Sequence, residues 1–143
     1  MSRPITYPAL YRQGSNVGTG RSAEELCYKL ETLGPVVGDF DPARAGLLLD
    51  AAGQRFEVRC WRDVPARGVL ERIRRMMQFA PVREPVVEGS TRLSLDEFKR
   101  EIESAVRALG KASQDLDLEA DLREPLTRAL SYVEALAAVP EPI

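Results

Sequence analysis

The sequence predicts an α+β fold, a small and mainly antiparallel sheet with two covering helices followed by a C-terminal antiparallel helical hairpin. Three observations carry this reading. Short segments with a two-residue apolar alternation cluster in the first half of the chain. The second half repeats apolar residues every three to four positions. Between them lies a stretch with two prolines, a glycine and balanced charges, which reads as a linker or long connection. The expected organisation is an α+β module over 1–80, a connection over 81–92 and a helical hairpin over 93–143 packed on the first module. With 143 residues, 44% hydrophobic and 29% charged, the chain has the length and balance of one folded domain rather than of a disordered segment.

Ile5 to Tyr11 is rich in aromatic and apolar residues but contains Pro8, which donates no ladder hydrogen bond, so an edge strand is expected. Gln13 to Gly20 reads as a polar, glycine-rich loop. Ser22 with Glu25 three residues on matches a capping box, and Leu26, Cys27, Leu30 and Leu33 then line one face of a helix that Gly34-Pro35 stops. Val36, Val37 and Phe40 suggest a second strand, Gly46 to Asp50 a third and Gln54 to Trp61 a fourth. The turn Asp50-Ala51-Ala52-Gly53 joins the last two as a hairpin. Phe56, Val58 and Cys60 alternate with Arg55, Glu57, Arg59 and Trp61, so one sheet face is expected to be wet. After Asp63, the stripe Val69, Leu70, Ile73, Met76 and Met77 predicts a helix that covers the sheet's inner face.

Ser94 with Glu97 forms a second capping box, and Leu93 with Phe98 fits a hydrophobic staple. Phe98, Ile102, Val106 and Leu109 mark one helix of the hairpin. Leu118, Leu122, Leu126, Ala129, Leu130, Val133 and Leu136 mark the other, with Pro125 predicting a start or a break near Glu124.

Composition narrows the chemistry. The chain has no histidine, which removes His-activated nucleophiles, and its two cysteines, Cys27 and Cys60, are too few for a zinc site and read as core thiols. The longest apolar runs, such as Leu47-Leu48-Leu49, fall far short of the ~20 residues a membrane span needs. With no apolar stretch after the N-terminus, a cytoplasmic protein is expected, without cofactor, metal or membrane partner. Gly18-Thr19-Gly20-Arg21-Ser22-Ala23 imitates a dinucleotide-binding fingerprint, with Asp39 about twenty residues on, so a small nucleotide-binding enzyme using Gly18, Gly20 and Arg21 is one alternative. Asp115, Asp117, Glu119 and Asp121 lack the spacing of a calcium loop. Residues 54–80 hold seven arginines against three acidic residues, whereas 93–143 hold six basic and eleven acidic ones. The arginine-rich helix carrying Arg72, Arg74 and Arg75 makes nucleic-acid binding a second alternative, against which the net charge of −2 weighs.

Ser22-Ala23-Glu24-Glu25, the strand Gly46 to Asp50 and the Asp50-x-x-Gly53 hairpin through Val58 resemble small bacterial proteins encoded beside polymorphic toxins. The likeness spans roughly residues 20–60. Many proteins of that group are read as immunity proteins, so it implies a non-enzymatic protein that binds a partner, such as a toxin domain, and blocks it by occlusion; self-association stays open. Strand alternation places Trp61 on the outer face beside Arg59, and with Arg62 these form the expected partner-binding patch. The competing placement puts Trp61 at the strand's end, folded under the 81–92 connection.

Overall fold

The two-residue turn Gly14-Ser15, with Gly14 at φ 62°, folds the chain back on itself so early that the first two strands form a hairpin. The computed structural model describes residues 4–32, 40–78, 82–115 and 117–140. The strands are β1 (Ala9–Gln13), β2 (Asn16–Gly20), β3 (Gly46–Asp50), β4 (Gln54–Asp63) and β5 (Arg83–Arg92), and the helices α1 (Ala23–Thr32), α2 (Val69–Gln78), α3 (Leu95–Ser113), α4 (Asp117–Arg128) and α5 (Tyr132–Ala137). All strand pairs are antiparallel, in the order β2-β1-β3-β4-β5. The fold is α+β, as expected.

Two expectations for the N-terminal region are corrected. The first strand is no edge: β1 lies between β2 and β3, and Pro8 precedes it, so its missing N–H costs the ladder nothing. The polar stretch after Gln13 is strand β2, whose intrinsically poor residues are held by pairing with β1. The expected strand at Val36-Val37 lies outside the described residues, and Phe40 is not in a strand.

Both faces of the sheet's β1–β3 half are covered. Ala9, Tyr11, Leu48, Phe56, Val58 and Trp61 meet α1 through Leu26, Cys27 and Leu30. On the opposite face Leu10, Val17 and Leu49 meet the C-terminal helices through Phe98, Ile102 and Leu122 among others. The wet face is therefore confined to β4 and β5, where Arg55, Glu57, Arg59 and Glu88 are exposed. The 81–92 connection is in the main strand β5, which contacts β4 along its whole length.

The β3–β4 turn is stapled by a buried carboxylate. Asp50, fully shielded from solvent, accepts hydrogen bonds from the backbone N–H groups of Ala52 (3.0 Å) and Gln54 (2.9 Å) through Oδ1, and of Thr6 (3.0 Å) through Oδ2. Gly53 adopts φ 79°, and the Tyr132 ring occupies the space a Cβ there would need. The Tyr132 hydroxyl donates to the Leu93 carbonyl at 2.7 Å, which fastens α5 over the turn. Asp50→Asn, which turns part of this acceptor into a donor facing a backbone N–H, should cost about 1.5–3 kcal/mol. Urea unfolding reads it; a loss below about 0.5 kcal/mol would mean that the turn holds without the carboxylate.

The capping box at Ser94 is formed in both directions, Glu97 N–H to Ser94 Oγ at 3.2 Å and Ser94 N–H to Glu97 Oε1 at 3.1 Å. Leu93 and Phe98 are both buried, as the staple requires. Beyond α3 the expected single helix is two. α4 runs through Pro125, which lies only three residues from its end, and the break comes after Arg128, where Ser131 caps α5. That break turns Leu130 and Val133 outward, to 85% and 48% exposure, so they are not core positions.

Candidate interaction surface

α2 is the element that does not fit the general rule for amphipathic helices. Its apolar stripe forms as predicted, but it points into solvent: Val69 is 71% exposed, Leu70 86%, Ile73 49%, Met76 74% and Met77 75%. The expectation that this helix covers the sheet is corrected. Among the described residues, the sheet's inner face is filled by α1, Phe40 and Trp61 rather than by α2.

The polar side of α2 instead faces its own protein. Arg75 is largely buried, donating to the Val64 carbonyl and pairing with Glu71 at 2.8 Å. Glu71 also accepts from the Arg67 N–H at 2.6 Å. That backbone N–H above all, with the Arg75 and Arg74 guanidinium groups, holds the Glu71 carboxyl below the usual glutamate range. Arg74 reaches Glu24 of α1 at 3.6 Å. The helix is thus tethered by its charged residues and presents its apolar ones.

Five large apolar side chains at these exposures, on the order of 100 Å² each, reach the upper end of the ~300–600 Å² that the largest apolar patch of an ordinary monomer occupies. The rim is cationic. Successive helical positions turn by about 100°, so Arg72 and Arg74 stand on opposite sides of Ile73, and both are exposed.

The residues singled out in the sequence lie elsewhere. Trp61 is only 6% exposed and packs in an aromatic cluster, its ring centroid 5.2 Å from Tyr11 and 5.8 Å from Phe40, which corrects its outer-face placement. A register shift between Val58 and Cys60 leaves Arg59 as an extra residue, so inward-facing positions change from even to odd. The same shift leaves Cys60 half-buried, whereas Cys27 is a core thiol whose pKa is raised first of all by burial. Arg59 and Arg62 are exposed on β4 and pair across to Glu88, at 3.2 Å, and Glu84 of β5. The structure does not bring these arginines together with Trp61 as one surface.

Gly18 and Gly20 lie inside β2 rather than in a loop after a strand, with Arg21 exposed just beyond it. A Cβ on Gly20 would sit 2.8–2.9 Å from the backbone N and Cα of Leu26, and one on Gly18 3.2 Å from the Leu30 side chain. These glycines let α1 lie directly on the sheet. Asp39 is outside the described residues. Among the described residues, no group of three or more His, Cys, Asp and Glu side chains could hold a metal ion, and no helix is long and apolar enough to cross a membrane. Among the described residues, one open cleft lies on β4 and β5, lined by Arg55, Glu57, Glu88, Ser90 and Thr91.

The α2 stripe is legible in the sequence, but its exposure is not. The usable signal was the pair of arginines at its two edges, since a basic amphipathic helix is the pattern of a docking element. No family model, curated protein or solved structure matches this chain.

Proposed function

We propose that this is a non-enzymatic protein-binding protein that acts by occluding its partner, in the manner of an inhibitor or toxin immunity protein, with α2 as its contact element. One observation carries the reading: α2 is held to its own protein through Arg75 on the Val64 carbonyl and Arg74 on Glu24, and turns its apolar stripe to solvent. Val69, Ile73, Met76 and Met77, with Leu70, have the spacing by which a helix seats in a groove. The two methionines suit such a face because their flexible side chains adapt to an irregular partner surface.

The test uses the full chain with Ile73→Asp and Met76→Glu together. Since both positions are exposed, the melting temperature should stay close to that of the wild type. A protein isolated with the wild type under native conditions, once purified, should bind the wild type and lose roughly a hundredfold or more in affinity for the double variant. Unchanged affinity would place the contact on another surface.

A further inference from the structure

We infer that the partner face that receives α2 is an apolar seam edged on both sides by Asp and Glu carboxylates. This rests on the reading of α2 as a protein-docking element and adds the chemistry of what it docks to. Charge decides between the three ways of covering the stripe. Residues 67–77 carry four arginines, Arg67, Arg72, Arg74 and Arg75, against the single acid Glu71. Arg75 is turned inward on Glu71 and the Val64 carbonyl, which leaves Arg72 and Arg74 as the rim, Arg74 with its side chain still 57% exposed beside Glu24.

A second copy of the chain fits poorly. With two α2 helices face to face, an antiparallel arrangement sets Arg72 against Arg72 along one edge and Arg74 against Arg74 along the other. A parallel arrangement sets Arg72 against Arg74 along both. Arg72 then meets an arginine in either orientation, which costs affinity.

An anionic bilayer fits poorly for a different reason. Exposed carboxylates lie close by, Glu24 paired with Arg74 of the helix and Asp63, paired with Arg83, one residue before the Val64 whose carbonyl Arg75 holds, with side chains 47% and 79% exposed. A flat anionic surface would press against these acids as well as the arginines, whereas a protein seam can engage the stripe and its two rims alone. The arginines are also suited to the task, because the planar guanidinium offers a carboxylate two parallel hydrogen bonds. The rim pairs would set orientation and partner choice, and the five apolar side chains most of the affinity.

The test titrates the full-length protein with two fluorescein-labelled, stapled helical peptides that share a leucine seam and differ only in flanking residues, glutamate in one and lysine in the other. The glutamate-flanked peptide should bind roughly tenfold or more tightly than the lysine-flanked one, with the gap shrinking at about 0.5 M salt. Arg72→Glu/Arg74→Glu should reverse the preference, and Ile73→Asp should abolish binding of both. Equal affinities lost together on Ile73→Asp would overturn the acidic seam while leaving α2 as a protein-docking face. If neither peptide binds, both readings fall. Sedimentation of the wild type as a dimer that Ile73→Asp dissociates, or co-pelleting with vesicles of equal parts phosphatidylglycerol and phosphatidylcholine, would then show what covers the stripe.

Discussion

Phe98→Ala should destabilise the protein by about 3–5 kcal/mol, the loss expected when a fully buried aromatic side chain is truncated and its neighbours relax only in part. Phe98 is 0% exposed and has three jobs in one place. It closes the hydrophobic staple with Leu93 at the start of α3 and belongs to the core shared by α3, α4 and the sheet. It also packs edge-on against Tyr132, with ring centroids 5.0 Å apart, so its loss loosens the residue that fastens α5 over the β3–β4 turn. For a chain of this size the expected fall in melting temperature is roughly 10–15 °C. Leu130→Ala is the matched control. Both residues fall on the apolar periodicity of the sequence, but Leu130 is 85% exposed and its truncation should stay within about 0.5 kcal/mol. Thermal unfolding followed by circular dichroism compares the two, and similar losses for both would mean that α5 is turned differently on the core.

That contrast shows which parts of the fold were legible. The Ser94 capping box and its staple are written within six consecutive residues, so no knowledge of the tertiary structure is needed to read them. The Asp50-x-x-Gly53 turn is equally local. Strand β2 is not legible, because Asn16-Val17-Gly18-Thr19-Gly20 becomes a strand only by pairing with β1, and its glycines find their use only against α1. Nor is the 83–92 strand, whose Pro85 and Gly89 read as breakers yet occupy an edge, with Gly89 at φ 63° beside a register shift. Periodicity tells that a helix has an apolar face and is silent on what covers it. For α3 the cover is the sheet; for α2 it is absent from the chain's described residues, and that difference is the candidate site.

Trp61→Ala should cost about 3–5 kcal/mol as well, as the loss of a large buried side chain does, with part of it coming from the edge-to-face contacts. Simple alternation along β4 gives the opposite expectation, an exposed aromatic whose removal hardly touches the fold. The shift at Arg59 decides between them: it turns Trp61 inward, where its ring is almost perpendicular to those of Tyr11 and Phe40, each at an interplanar angle of 87°. The backbone adds to the effect, because the Trp61 N–H donates to the Pro42 carbonyl at 2.8 Å and so ties the segment before β3 to this end of β4. Truncation would leave a cavity under that segment. Trp61→Phe keeps an aromatic ring in place and should recover more than half of the loss. Since Trp61 is the only tryptophan, unfolding must be followed by circular dichroism in the variants. In the wild type its fluorescence should be blue-shifted and resistant to iodide quenching until the chain unfolds. A stable Trp61→Ala protein, or a wild-type emission quenched as readily as free tryptophan, would put the indole back on the outer face and remove the shift in β4 with it.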